Sequence, residues 1–436
     1  MSVPATSAPA VRPSLAGRYA IVYRGLILFT ILLYLRPNEL LPIGTFPVVK
    51  ILTIGTLAIF FLDKLGHGGP LSVMPRPFQY LLVINALAII SIPIGLDPSS
   101  SVDAFTDLFL KILLIFLLMI NVVTSFRRLR FIIEVTVVSA AIVGAMTLAD
   151  FSRGKNLVEF YRAGGALGGM FANPNDLALA MNMLIPFAVY LGLTRPNPLV
   201  RFMYLVCAML LGATSAVTYS RAGFLSMVIG GGFFLVKISR RYPAAWAVGA
   251  VGAVGLLASG PSRLFTLFAG SGDDASGIAA GSALARWELI KRSFEAAGAN
   301  PLRWLFGVGI NNFHIVSNKE LVNHNAYLQV FNEIGLPALC FYILFLASAV
   351  AISAQIVKRY RRARGYRQVW LMAVAIQTSL IVYLIGSFFA SVAYLWYVYY
   401  PAAFAVCLQQ LLRHAESQPA QKGAEPRVWY LRRVQH

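Results

Sequence analysis

The chain has 436 residues, of which 58% are apolar and only 12% are Asp, Glu, Lys or Arg, about half the charged share of an average soluble domain. Its 37 basic and 17 acidic residues leave a formal net charge of +20. So apolar a chain is not disordered, since disorder needs low hydrophobicity, and it lacks the polar surface on which a soluble nucleic-acid binder displays basic residues. A polytopic membrane protein with its positive charge sorted by side remains.

Cys207, Cys340 and Cys407 all lie inside apolar runs. They have no metal-ligand spacing and suggest no disulfide framework. The first apolar run follows a Pro/Ala/Ser-rich tail with Arg12 and Arg18, without a convincing small-residue cleavage site; it reads as a retained first helix. A membrane helix needs about 20 mainly apolar residues. Twelve runs qualify: 19–35, 47–62, 79–96, 104–123, 131–149, 175–193, 201–219, 222–237, 243–260, 326–356, 369–390 and 394–412. The expected fold is therefore an all-α polytopic bundle. It has tails at 1–18 and 413–436, helices 1–9 over 19–260, a long loop at 261–325 and helices 10–12 over 326–412.

Loop charge supports that alternation. With the N-terminus inside, 24 basic residues fall on the inner side, including the run KRYRRARGYR at 358–367, and 12 fall outside. This is the positive-inside pattern, with both termini cytoplasmic. Topology is the plain reading of the inner basic runs; a partner-binding patch is the other.

Most outer loops are short, whereas 261–325 is long enough to carry a site. Its first part, GSGDDASGIAAGS (270–282), is Gly/Ser-rich. The stretch ALARWELIKRSFEAAG (283–298) reads as an amphipathic helix with Trp287, Ile290 and Phe294 on its apolar face. No internal repeat of the transporter kind is visible.

The basic residues that break the sorting rule are the informative ones. Arg221 sits in TYSRAGF, where one helix turns directly into the next. It either snorkels to the interface or binds an anion near the membrane surface. Arg286, beside Trp287, is either a solvated helix residue or a second anion ligand. His324 and Asn325 open VNHNAYLQVFNEIGLPAL, in which Asn325, Gln329, Asn332 and Glu333 form one polar stripe on an apolar helix. The stripe makes interhelical hydrogen bonds or faces a wet cavity. Gly335 and Pro337 are positioned to kink that helix. The imidazole of His324 can accept a proton from a hydroxyl near neutral pH, and arginine forks match phosphate oxygens. A phosphate-bearing lipid substrate fits this set.

The loop at 150–174 adds Arg153, Lys155 and Arg162, and it ends in a turn at Asn173–Asn175 that caps the next helix or supports the site. Asp273–Asp274 is a poor metal site, and GVG at 307–309 lacks the context of a nucleotide-binding fingerprint. Asp107 and Lys111 read as an ion pair within a helix. Tyr394, Trp396, Tyr397, Tyr399 and Tyr400 read as an interfacial aromatic belt, with sugar stacking as the other possibility.

Four strings occur in order: GGMFANPNDLALAMNMLIPF, TYSRAGFLSM, ARWELIKRSF followed by NPLRWLFGVGINNF, and HNAYLQVFNEIGLPAL. Together they resemble the O-antigen ligase and O-antigen polymerase (WaaL/Wzy) superfamily. The resemblance implies a GT-C-like membrane glycosyltransferase that needs neither metal nor nucleotide and no other cofactor. Its site would face the periplasm from the bacterial inner membrane. The implied partners are membrane lipids, an undecaprenyl-pyrophosphate-linked glycan as donor and the lipid A–core sugar as acceptor. Carried onto this chain, Arg221 and Arg286 would bind pyrophosphate and His324 would be the base; Asn325, Arg162, Lys155, Asn173 and Asn175 would be supporting residues. A single displacement would invert the anomeric centre. A polymerase and a protein O-oligosaccharyltransferase share this donor chemistry. A lipid-linked glycan transporter would instead place functional charges deep in the bilayer.

Overall fold

The computed structural model describes residues 19–36, 48–67, 71–244, 246–247, 249, 287–317, 324–363 and 365–417. The first half comprises α1 (Ala20–Leu35), α2 (Val48–His67), α3 (Arg76–Ile94), α4 (Pro98–Val122), α5 (Phe126–Ser152), α6 (Pro174–Thr194), α7 (Pro198–Val217) and α8 (Arg221–Ile238). A short antiparallel hairpin, β1 (Leu157–Val158) and β2 (Arg162–Ala163), lies between α5 and α6. The second half comprises α9 over 287–298, α10 (Pro301–Phe306), α11 (Phe313–Ser317), α12 (Ala326–Ile334), α13 (Leu336–Tyr360), α14 (Arg367–Gly386) and α15 (Tyr399–Ser417).

Among the described residues, 8 helices are long and apolar enough to cross a membrane: α3 to α8, α13 and α14 with its extension to Phe389. The protein is a multi-pass helical membrane protein. These correspond to eight of the twelve expected spans, and the other four fall short of that length and composition or of description. The α1 helix has only 16 residues. Every 18-residue window of α2 carries Lys50, Asp63 and Lys64 together, and α15 ends in Gln409, Gln410, Arg413, His414 and Glu416. The expected span 243–260 lies almost wholly outside the described residues.

Several helices begin the same way. Asp97–Pro98, Asn173–Pro174, Asn197–Pro198 and Asn300–Pro301 each put a side-chain acceptor at the cap and proline at the first helical position. The acceptor satisfies an orphan N–H, and proline has none to lose. The helices α6 and α14 are buried along most of their length and pack on each other; α15 joins them in the interior, with the remaining helices around them.

The expected helix 10 is two helices. α12 ends and α13 begins at Gly335, whose φ of 100° puts it in a region that favours glycine. An added Cβ there would overlap the Leu305 carbonyl, and one at Gly307 (φ 72°) would overlap the Glu333 carbonyl group. The two glycines let the GVG loop seat directly on the helix break. In return the loop satisfies the exposed helix end: Val308 N–H donates to Asn332 O at 2.7 Å and Gly309 N–H to Glu333 O at 3.1 Å.

The polar stripe of α12 is spent on such bonds. Asn332 Nδ2 donates to Ser293 Oγ at 2.8 Å, Glu333 Oε2 accepts from Asn311 N–H at 3.0 Å, and Gln329 Oε1 accepts from Ala393 N–H at 3.3 Å. Burial pushes the Glu333 carboxyl up to about 7, against the opposing pull of the Asn311 amide and the Tyr394 hydroxyl.

Two further expectations are corrected. The buried face of α9 is Leu289, Ser293 and Ala297, whereas Trp287 and Phe294 are 68% and 50% exposed. The small side chains allow close approach to α12, and Ser293 supplies the acceptor for Asn332. The tyrosines expected in an interfacial belt are interior residues. Tyr394, Tyr397, Tyr399 and Tyr400 are all buried, because 390–398 folds back into the bundle ahead of α15. There Tyr394 packs 4.5 Å from Phe109 and Tyr399 donates to Ala393 O at 2.7 Å. Asp107 and Lys111 pair at 3.1 Å on a π-turn of α4.

Candidate active site

The tight turn between α7 and α8 is built from Thr218, Tyr219 and Ser220. Tyr219 is left-handed, with φ 51°, a conformation that costs a non-glycine residue about 1–2 kcal/mol. Local bonds hold it: Ser220 N–H donates to Thr218 Oγ1 at 3.2 Å, and Ser220 Oγ caps α8 by accepting from Gly223 N–H at 3.0 Å. Arg221 is therefore the first residue of α8. It is half-buried, and among the described residues its side chain makes no hydrogen bond or ion pair. A guanidinium at a helix start adds its charge to the partial positive charge of the orphan N–H groups, an arrangement that favours an anion.

Residues far away in sequence fix this turn from outside. Arg162, on β2, is only 14% exposed along its side chain. It donates from Nε to Thr218 O at 3.1 Å and from Nη2 to Asn175 Oδ1 at 2.8 Å. The same Asn175 oxygen accepts from Ser220 Oγ at 2.8 Å. Arg162 also pairs with Glu159 at 3.4 Å, a contact with a half-exposed carboxylate. Asn173 contributes one step back, since its side chain caps α6 by accepting from Asn175 N–H at 2.8 Å. Three expected supporting residues, Arg162, Asn173 and Asn175, thus join at the turn that presents Arg221.

His324 opens the other element. It is half-exposed and left-handed, with φ 45°. Asn325 caps α12, its Oδ1 accepting from Tyr327 N–H at 2.9 Å and Leu328 N–H at 3.0 Å. The start of α12 is tied to the end of α14: Tyr327 donates to Leu384 O at 3.1 Å and accepts from Ser387 Oγ at 3.1 Å. The first turns of α6 then bridge to α8. Gly386 of α14 packs on Leu179, and Gly223 of α8 packs on Ala178. Arg221 and His324 therefore stand on helix ends linked indirectly, through the end of α14 and through Ala178 and Leu179 at the start of α6.

One expected residue does not join this group. Lys155 is exposed, and its side chain has no partner among the described residues. Arg286 lies outside the described residues. Sequence reading missed Ser220 and Thr218 as the joints of the site. A serine directly before a helix is a cap signal, so Ser220 was within reach. The Thr218 carbonyl carries no sequence signal at all.

The O-antigen ligase family model matches residues 205–343. This stretch is an O-antigen ligase family domain. The domain includes Arg221, Arg286 and His324, and its match begins after the hairpin and the start of α6, which hold Arg162 and Asn175. It supports an enzyme role of the ligase or polymerase type in O-antigen processing. No curated protein matches the chain.

Proposed function

We propose that this protein is an O-antigen ligase of the bacterial inner membrane, with both termini cytoplasmic and its site on the periplasmic face. It would transfer a polysaccharide from undecaprenyl pyrophosphate to a sugar hydroxyl of the lipid A–core. One observation carries the reading. Within a family domain of matching description, the helix-starting Arg221, without a partner among the described residues, stands at the bundle end that also bears His324.

The chemistry follows from those groups. The donor pyrophosphate docks against Arg221 and the N-terminus of α8, with Arg286 as a second guanidinium. His324 takes the proton of the acceptor hydroxyl as its oxygen attacks the anomeric carbon. The bond from that carbon to the pyrophosphate oxygen breaks, and the leaving lipid pyrophosphate keeps the electron pair. Preorganised guanidiniums stabilise the charge that develops on it. No nucleotide is required, because the pyrophosphate linkage is already activated. A single displacement inverts the anomeric centre.

Purified protein in detergent, given lipid-linked glycan and core acceptor, tests the reading. His324→Ala should lower transfer by about 10²–10⁴-fold, the usual share of a general base, with folding unchanged. Arg221→Lys should also impair transfer, because a point charge cannot replace a fork. Near-normal transfer by His324→Ala would remove the base role. A deletion strain separates the related reactions: full-length unligated polymer supports the ligase, single repeats indicate a polymerase, and loss of protein glycans indicates a protein glycosyltransferase. A wild-type protein that moves lipid-linked glycan and forms no new bond would be a transporter.

A further inference from the structure

The hairpin that carries Arg162 has a second feature that the transfer chemistry does not use. Its tip holds two bulky or charged residues in the left-handed region, Glu159 (φ 52°) and Phe160 (φ 67°), and Asn156 just before it is at φ 52°. Such residues persist only where the surroundings over-determine them, and they cluster at functional sites. Here the register Val158↔Arg162 and the bonds of Arg162 to Thr218 and Asn175 do so. The strained tip presents the Phe160 ring 96% exposed. Next in the chain, the Tyr161 ring packs tilted 5.7 Å from Tyr219, which in turn lies 6.4 Å from Phe151. The Glu159 carboxylate is oriented at both oxygens: Tyr161 OH donates to Oε2 at 3.1 Å, and Arg162 Nη1 donates to Oε1 at 3.4 Å.

We propose that this hairpin is a sugar-binding subsite for the glycan of the lipid-linked donor, with Phe160 and Tyr161 as stacking faces and Glu159 as acceptor for sugar hydroxyls. The inference rests on Arg221 holding the donor pyrophosphate. Its chemistry selects a carbohydrate. An aromatic face suits the C–H face of a pyranose, and a fixed, half-exposed carboxylate accepts hydroxyl hydrogen bonds while repelling phosphate. Phosphate and sugar would thus be sorted between two adjacent places. Their spacing agrees with a glycosyl pyrophosphate: Tyr219 is two residues from Arg221, within about 7 Å along the chain, and the hairpin lies directly against Tyr219.

The test uses the full-length protein in detergent and two measurements. In the first, glycan freed of its lipid pyrophosphate is the probe, and saturation-transfer NMR reads its binding. Wild type and Arg221→Ala should bind it equally. Phe160→Ala and Glu159→Gln should bind it about three- to tenfold more weakly, the scale of one aromatic contact or one hydrogen bond. Phe160→Ala removes an exposed ring, and an unchanged unfolding temperature checks the fold. In the second, Phe160→Ala should raise KM for the lipid-linked donor and leave KM for the acceptor and kcat unchanged. Equal glycan binding by wild type and both hairpin variants would overturn the proposal. So would a KM increase confined to the acceptor. If wild type binds free glycan through the hairpin but transfers nothing, the subsite stands and the ligase reading fails.

Discussion

Arg162→Ala asks whether the active turn is held from outside the family domain. The guanidinium makes two bonds to the turn and its neighbour, to Thr218 O at 3.1 Å and Asn175 Oδ1 at 2.8 Å. A hydrogen bond from a charged donor contributes about 1.5–3 kcal/mol. The pair therefore supplies about 3–6 kcal/mol of support, and the half-exposed Glu159 contact adds under about 1 kcal/mol. That support outweighs the cost of about 1–2 kcal/mol for Tyr219 in its left-handed conformation. Without it the turn loses its preference for the geometry that aims Arg221. A loss of about 1.4–3 kcal/mol in that preference lowers the competent fraction roughly ten- to hundredfold. The assay is the steady-state transfer rate of purified variants beside their unfolding temperatures. Arg162→Lys, which keeps charge and one bond, should recover part of the activity. Arg162→Ala combined with Asn175→Ala should cost less than the two single losses added, because both residues serve one network. Wild-type turnover in Arg162→Ala, with the protein folded, would refute the reasoning.

Other expected outcomes follow from the helix break and its lining. Gly335→Ala forces a side chain onto the Leu305 carbonyl at φ 100°. It should lower stability by more than about 1–3 kcal/mol, the cost of one strained residue alone, and thermal unfolding in detergent measures it. Glu333→Gln should flatten the dependence of stability on pH. The wild-type carboxyl sits at about 7 in the fold against an ordinary 4.5. Its contribution is complete below 4.5 and is lost as pH rises through 7, so wild type should lose about 3 kcal/mol relative to the variant over that window. Parallel unfolding curves for the two proteins from pH 4 to 8 would contradict it. Ser293→Val removes the Ser293 hydroxyl that accepts from the buried Asn332 amide and should cost about 1–3 kcal/mol, read by the same unfolding measurement.

Much of the fold was legible because membrane helices are specified locally. Length, apolar content and loop charge act along a single segment, and the Asn–Pro and Asp–Pro pairs at 97, 173, 197 and 300 mark helix starts by satisfying their own first amides. The break at Gly335 was also visible, since glycine and proline are local punctuation. The aromatic segment misled for an equally clear reason. Tyrosines near a span end have the composition of an interface, but composition does not say whether the chain re-enters the bundle. The α9 helix misled because two patterns compete along it. The large apolar residues mark one face, while the most deeply buried face is Leu289 with the small Ser293 and Ala297, where Ser293 bonds Asn332 of α12.

The site divides in the same way. Sequence alone determined the chemical types in play: an arginine at a helix start, a histidine before another helix, and acceptors that cap. These are local, with their partners within a few residues. Only the tertiary structure decided that Arg162 meets Asn175 and Thr218, 13 and 56 residues away, and that the helix ends bearing Arg221 and His324 are linked indirectly, through the end of α14 and through Ala178 and Leu179. Those pairings depend on which helices pack together. In a chain this apolar, packing is set by the fit of small residues and the need to satisfy every buried polar group, and neither can be read from one segment at a time.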